Sequence, residues 1–281
     1  MIDLHSHTDA SDGTFSAAQL VDEALRVGVH LLGITDHDTF AGYDAAVPVA
    51  GQAGLQLVCG IELSTKLHGK SVHLLGYFLS QEKMGEFRSS ILEMQMARRD
   101  RNIRLIARLQ SLGLDITLEE VKARGRGLTA RPHFAQVMVE KGYVATLQQA
   151  FDDYLDESAV GYVYRREPSF AEGVARIRDA GGIASLAHPV RINGDVAALM
   201  PELCGVGLNA IEVYHSDHQP HHTETYLALA RRYGLLVTGG SDFHGTAKPG
   251  LHLGTGRSGN LKIPADLFEK LNCVSRAAAA D

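Results

Sequence analysis

Residues 3–14 read DLHSHTDASDGT and place two histidines and three aspartates within one short stretch. We predict a β-strand over residues 2–6, with a polar loop after it. His5 and His7 are two residues apart, so their side chains point to the same side of such a strand. Two imidazoles at the end of a strand can bind one metal ion. The stretch therefore predicts a strand that carries ligand-type side chains at its carboxyl end.

The same combination of a short apolar strand and a following helix recurs along the chain. The segment SAAQLVDEALRVG, for example, begins at the capping residue Ser16 and ends at Gly28. Repeated strand–helix units predict an α/β fold with a parallel sheet, and seven of them predict a closed or nearly closed barrel. The six further strands are predicted over residues 31–35, 55–61, 71–78, 183–187, 208–214 and 235–240.

One segment interrupts this alternation. No strand pattern is present over residues 81–164, and SSILEMQMARRDRNIRLIARLQSLG reads instead as a long amphipathic helix. We therefore predict a helical insertion after strand four, which covers the active site. The barrel itself is assigned to residues 1–80 and 165–281.

Ligand-type residues recur at the ends of the predicted strands. In a barrel these ends meet on one face, where barrel enzymes place their chemistry. Nine candidate ligands exceed the four that one tetrahedral ion takes. Three divalent ions, with Glu62 bridging two of them, would leave the site net positive, suited to binding a phosphate and activating a water molecule. The candidates are His5, His7, Asp12, His37, Glu62, His73, His188, Asp242 and His244.

The motifs DLHSHTDASDGT, TDHDT, GIE, AHP and GSDFH, between Asp3 and His244, resemble those of the PHP family, named for polymerase and histidinol phosphatase. The resemblance implies a distorted (β/α)7 TIM-like barrel with three metal ions, most often Mn²⁺, with Fe²⁺ or Zn²⁺ as alternatives. It also implies the ligands of each ion. These are His5, His7, Glu62 and Asp242 for the first, Glu62, His73 and His188 for the second, and Asp12, His37 and His244 for the third.

Asp12 stands where some histidinol phosphatases of the family carry histidine. With the helical insertion, this makes the chain similar to the branch of 3',5'-nucleoside bisphosphate phosphatases and 5'-to-3' exoribonucleases. The expected reaction is in-line attack of hydroxide that removes the 3' phosphate of a small nucleotide such as 3'-phosphoadenosine 5'-phosphate. We expect His215, His188 and Asp242 to take part in catalysis, and Asp36 to orient a ligand histidine.

The insertion offers groups that could bind a second phosphate. The segment TARPHFA places Arg131 and His133 at a predicted helix start, where free N–H groups attract anions. The segment ARRDRN supplies Arg99 and Asn102. We predict that these four residues contact the substrate, because arginine is suited to bidentate binding of phosphate.

Three other activities fit parts of the pattern. A 5'-to-3' exoribonuclease acting on short RNA would use the same chemistry, and histidinol phosphate is a further candidate substrate. An amidohydrolase that cleaves C–N bonds also begins with HxH, but usually bridges its metals through a modified lysine. A catalytically silent domain would have lost ligands, and none is missing.

The overall composition narrows the binding partners and the cellular compartment that we expect. The formal net charge is −6, which argues against a broad nucleic-acid-binding surface. The three cysteines lie far apart and form no CxxC pair, which favours the reducing cytoplasm. No apolar run is long enough to span a bilayer, and no signal peptide is expected. Neither a membrane nor an obligate protein partner is predicted.

Overall fold

The computed structural model describes residues 1–125, 127–192 and 194–271. A seven-stranded sheet, with its strands in sequential order, forms the centre of a mixed α/β fold. The sheet closes where β1 meets β7, because the Leu4 amide donates to the Gly239 carbonyl and the Asp242 amide to the His5 carbonyl. This confirms the predicted TIM-like barrel. The strands are β1 (Ile2–Asp3), β2 (Leu31–Ile34), β3 (Gln56–Leu67), β4 (Lys70–Phe78), β5 (Ile183–Leu186), β6 (Ala210–His215) and β7 (Leu236–Gly240).

Strand β4 runs opposite to the others. It pairs antiparallel with both β3 and β5, so the prediction of a parallel sheet was wrong at this strand. Strand β3 continues to Leu67, well past its expected end at residue 61, and turns directly into β4 through His68 and Gly69. Both turn residues have positive φ, 50° and 78°, as a two-residue hairpin loop with the type I′ twist requires. The start of β4 therefore lies beside the end of β3.

Nine α-helices occur in the described ranges. Several begin with capping boxes, such as the reciprocal bonds between Ser16 and Gln19 and between Ser169 and Glu172. None of these helices is both long and apolar enough to cross a membrane. They are α1 (Ala17–Val27), α2 (Ala41–Ala53), α3 (Gly85–Ser111), α4 (Leu118–Lys122), α5 (Arg131–Glu140), α6 (Leu147–Ala150), α7 (Phe170–Asp179), α8 (Val196–Gly205) and α9 (Pro220–Tyr233).

A glycine permits the closure of the barrel. A Cβ atom on Gly240 would lie 2.3 Å from the Cβ of His5, a distance that real side chains do not reach. Glycine at this position lets β7 approach β1 closely. The closure in turn places the ends of both strands, with their ligand-type residues, next to each other.

Helix α3 links the barrel to the predicted insertion. Its first half packs on the outside of the barrel, where Phe87 and Ile91 share a core with Phe40 and Phe78. Its second half, from Leu105 onward, contributes to a separate core with α5 and the segment that follows α6. This 27-residue helix therefore contributes to both cores, and its middle turn lies at the boundary between them.

Candidate metal centre

Glu62 lies at the centre of a buried group of histidines. Its side chain is 1% exposed, and its two carboxylate oxygens face different imidazoles. Oε1 lies 2.8 Å from both Nδ1 of His73 and Nε2 of His188. Oε2 lies 3.1 Å from Nε2 of His7 and 3.2 Å from Nε2 of His5. This is the arrangement expected of a carboxylate that bridges two ions.

Eight of the nine candidate ligands, all except His188, fall into three overlapping groups, and within each group the ligand atoms lie within 4.8 Å of one another. One group is the set expected for the first ion. The second contains the three residues expected for the third ion together with His7. The remaining group combines Glu62 and His73 with His37 rather than with His188, although His188 also contacts Glu62. The groups are His5, His7, Glu62 and Asp242; His7, Asp12, His37 and His244; and His37, Glu62 and His73.

The donor set fits divalent cations. Both ring nitrogens of His7 are buried without a hydrogen-bond partner in the described residues, an expensive state for a polar group. Asp12 lies 3.7 Å from His37 and 3.3 Å from His244, distances at which two side chains can share one ion. Imidazole and carboxylate ligands suit zinc, iron and manganese. The residues therefore fit a metal centre, whose ions and their number remain a proposal.

Two of the candidate ligands adopt strained backbone conformations. His188 has φ 25° and Asp242 has φ 58°, values that residues other than glycine rarely adopt. Local hydrogen bonds hold both residues in place: the His188 amide donates to Glu212 Oε2 at 2.7 Å, and the Asp242 amide donates to the His5 carbonyl at 2.8 Å. Such strain is typical of functional sites.

Glu62 and two of the histidines have the charge states in which they bind metals. Burial alone would raise the pKa of the Glu62 carboxyl, but the surrounding histidines hold it well below its usual range. Burial lowers the pKa of His37 to about 4 and that of His188 to about 3. Both imidazoles are thus neutral at pH 7, the state in which histidine binds metals.

Glu212 is a site residue that the sequence interpretation missed. It is fully buried, and its Oε1 accepts from Nδ1 of His5 at 2.9 Å. An ionisable residue in the middle of the apolar strand NAIEVYH was the available signal. Asp36, expected to orient a ligand histidine, instead accepts from Thr8 and Ser11 and fixes the loop after β1.

His215, expected to take part in catalysis, lies at the edge of the metal centre. Its Nδ1 accepts from the Asp217 amide at 3.0 Å, so its proton is on Nε2. Nε2 is 3.6 Å from Asp242 Oδ2 and has no hydrogen-bond partner in the described residues. The structure thus brings His215 together with His188 and Asp242, the other two residues expected to be catalytic.

Two cations flank Asp242. Nζ of Lys248 lies 2.7 Å and Nη2 of Arg191 lies 2.9 Å from its Oδ2. Arg191 also pairs with Asp217. The sequence interpretation assigned no role to Lys248 or to Arg191, which follows the AHP motif by two residues.

The four residues predicted to contact the substrate lie in different parts of the structure. Arg131 lines a cavity of about 580 Å³ together with Arg191. Arg99 and Asn102 line a larger groove of about 1020 Å³ between the barrel helices and α3. The Asn102 amide donates to the Thr129 carbonyl, and Nδ1 of His133 accepts from the Ala130 amide. These two side chains therefore also fix the loop before α5.

Comparisons with known proteins identify relatives of this chain. The sequence model of the PHP domain matches residues 3–157. A 5'-3' exoribonuclease of Haemophilus influenzae is 32% identical over 246 residues, which cover 86% of this chain and 89% of that protein. A 3',5'-nucleoside bisphosphate phosphatase of Chromobacterium violaceum is 28% identical over 258 residues, or 90% of each chain.

The fold is also shared with a solved structure. A protein of Bifidobacterium adolescentis, described as a metal-dependent phosphoesterase, superposes with a TM-score of 0.82 at 34% identity. The match covers 97% of this chain and 95% of the other.

Proposed function

The chain belongs to the PHP family and is a metal-dependent phosphoesterase, and from this premise we propose that it removes the 3' phosphate of nucleoside 3',5'-bisphosphates. The observation that carries the proposal is the largely buried set of nine ligand side chains with Glu62 at its centre and cations on its borders. A cluster of this many imidazoles and carboxylates is typical of a site that binds several metal ions.

The metals would be held by the nine ligands named above. When bound, divalent cations offset the charge of phosphoryl oxygens and lower the pKa of a water molecule, as phosphoester hydrolysis requires. Arg191 and Lys248, both beside Asp242, are placed to donate hydrogen bonds to phosphoryl oxygens of the substrate. They would thereby orient the reacting phosphate.

His215 is suited to donate a hydrogen bond to the oxygen of the leaving group. Its buried Nε2 carries a proton and has no acceptor among the described residues, while the Asp217 amide fixes the tautomer through Nδ1. Negative charge develops on the ribose 3' oxygen as it departs, and an imidazole N–H can stabilise that charge by a hydrogen bond. We assign this role of hydrogen-bond donor to His215.

A bisphosphate substrate also needs a place for its second phosphate. Arg131 has no carboxylate within 4.0 Å in the described part of the chain, and it lies in the same cavity as Arg191. One nucleotide held by both ends would convert binding energy at the remote phosphate into positioning at the reacting one. The net negative charge of the chain argues against a broad basic surface that could bind a long RNA.

The 5'-to-3' exoribonuclease activity is the second candidate, and one observation favours it. The groove that contains Arg99 also contains Lys122 and many alanine and glycine residues, and it reaches the loop after β1 at Asp9 and Ala10. A narrow groove with two exposed cations could accept a few nucleotides of an RNA strand.

Turnover of matched substrates tests the proposal. Purified protein with Mn²⁺ would be assayed on a nucleoside 3',5'-bisphosphate, a 5'-phosphorylated RNA oligomer and histidinol phosphate. We expect release of phosphate from the bisphosphate to have the highest kcat/KM. Faster release of mononucleotides from the RNA would favour the exoribonuclease and overturn the phosphatase assignment.

A further inference from the structure

One face of helix α3 exposes a row of large apolar side chains to solvent. Leu92 is 60% exposed, Met96 is 64% exposed and Ile103 is 57% exposed. The steps of four and seven residues between them are close to one and two turns of a helix, so the three side chains lie on one line along α3. At a rise of about 1.5 Å per residue, this apolar stripe is about 16 Å long.

A neighbouring segment widens this surface. Arg104 donates to the Tyr164 carbonyl and Arg108 donates to the Val160 carbonyl, each at 3.0 Å, so residues 160–164 run beside the second half of α3. Val160 and Tyr164 are themselves 58% and 64% exposed. Within the described residues, all five large apolar side chains that are more than half exposed lie in these two segments. Apolar exposure concentrated in one place is typical of an interaction surface.

The charges beside the stripe differ between the two halves of α3. Glu86 and Glu93 lie in the first half, and Arg104 and Arg108 lie in the second. Glu93 and Arg104 each follow a stripe residue by one position, so they lie on the same side of the stripe. None of the four has an ion-pair partner within 4.0 Å in the ranges 1–125, 127–192 and 194–271. The helix dipole favours such charges only in the first and last turns, whereas Glu93 and Arg104 lie further inside.

We propose that α3 packs against α3 of a second copy of this chain, in an antiparallel pair with a two-fold axis near Met96. Such a pair places Leu92 of one copy against Ile103 of the other and removes the stripe from water. The two-fold axis also brings the same side of both stripes together, so that Glu93 of each copy lies opposite Arg104 of the other. A parallel pair would instead place like charges opposite each other, which is unfavourable.

The size of this surface predicts a reversible dimer rather than a permanent one. A stable interface typically buries about 800 Å² on each partner, more than a stripe of about 16 Å on one helix provides. Arg99 lies within the stripe, and the two-fold axis would bring it close to Arg99 of the second copy, a like-charge contact that weakens association. We therefore expect a dissociation constant of about 10–100 μM.

Sedimentation equilibrium of the metal-loaded full chain tests the pairing. The wild type should change from monomer to dimer as its concentration rises through about 10–100 μM. Leu92→Arg removes an apolar contact and places a cation beside Arg104 of the second copy, so the dissociation constant should rise about tenfold or more. Leu25→Arg is the matched control, because Leu25 is 43% exposed on α1, and it should dimerise like the wild type. A wild type that stays monomeric through this range, or equal dimerisation of Leu92→Arg, would overturn the proposal.

Exchange of the flanking charges tests the antiparallel arrangement. Glu93→Arg and Arg104→Glu should each raise the dissociation constant about fivefold or more, because each places like charges opposite each other at both ends of the pair. The double variant restores opposite charges at both ends, so its dissociation constant should return to within about threefold of the wild-type value. Recovery would also show that the single variants lost association and not their fold. A double variant that dimerises as weakly as the single variants would refute the antiparallel pair.

Discussion

Glu212 and His5 form a buried carboxylate–imidazole pair in which Oε1 of Glu212 accepts from Nδ1 of His5 at 2.9 Å. Burial would raise the pKa of Glu212, but His5 and His215 lower it to about 2, so the group is a carboxylate at neutral pH. It can therefore only accept, which fixes the proton of His5 on Nδ1. Nε2 is left free toward Glu62 and Asp242. A pair of this kind sets the orientation and raises the basicity of a metal ligand.

Glu212→Gln should weaken metal binding without removing a ligand. The amide keeps a similar shape but loses the charge that supports His5, and loss of such support typically costs about ten- to a hundredfold in metal affinity. Titration of Mn²⁺ into chelator-treated protein measures this. Glu202→Gln on the surface, where Glu202 contacts His68, is the control. Unchanged affinity in Glu212→Gln would remove Glu212 from the site.

Glu62→Ala should reduce metal content and turnover together. Glu62 contacts two groups of histidines through separate oxygens, so its removal affects more than one ion. Metal analysis of the purified variant, alongside phosphate release, checks both effects. Retention of full metal content with turnover close to that of the wild type would contradict the bridging role.

Asp38→Asn should destabilise the attachment of the insertion. The change leaves Arg98 and Arg165 buried without their shared carboxylate, a loss that typically costs about 3–5 kcal/mol. Urea denaturation measures it. Asp44→Asn is the matched control, because the Asp44–Arg88 pair is partly exposed and worth about 0–1 kcal/mol.

The difference between the wild type and Asp38→Asn should depend on pH. Burial would raise the pKa of the Asp38 carboxyl, but Arg98 and Arg165 lower it below its usual value. A lowered pKa gives stability that is fully present above the unfolded value, about 3.9, and is lost as the pH falls through the folded value. The two proteins should therefore converge in acid. A constant difference down to that range would exclude the ion pair as its cause.

The sequence was sufficient to predict the barrel and the convergence of His5, Glu62 and Asp242, because strand period and strand ends determine which side chains meet. It could not predict the reversal of β4, since a hairpin and a helical crossover both begin with an apolar strand. It also missed Glu212. The partner of Glu212, His5, is far away in sequence, and no local pattern predicts that contact. The division into a barrel and an insertion stays a prediction.

The groove beside α3 allows the two candidate activities to be separated within one protein. Arg99, predicted to contact substrate, lies there with Lys122, whereas Arg131 lines the other cavity with Arg191. A mononucleotide held by Arg131 would not extend into this groove, but the following nucleotides of an RNA strand would. Arg99→Gln combined with Lys122→Gln should therefore leave kcat/KM for a nucleoside 3',5'-bisphosphate within about threefold of the wild type.

On a 5'-phosphorylated RNA oligomer, the same double variant should lose about tenfold or more in kcat/KM, and its rate should depend less on salt, because each lost phosphate contact lowers the salt dependence. Rates at two ionic strengths provide the measurement. A large loss on the bisphosphate would instead place Arg99 against the bound mononucleotide. Equal rates of variant and wild type on RNA would mean that the groove does not bind the RNA strand. The proposed exoribonuclease activity would then lose the structural observation that favours it.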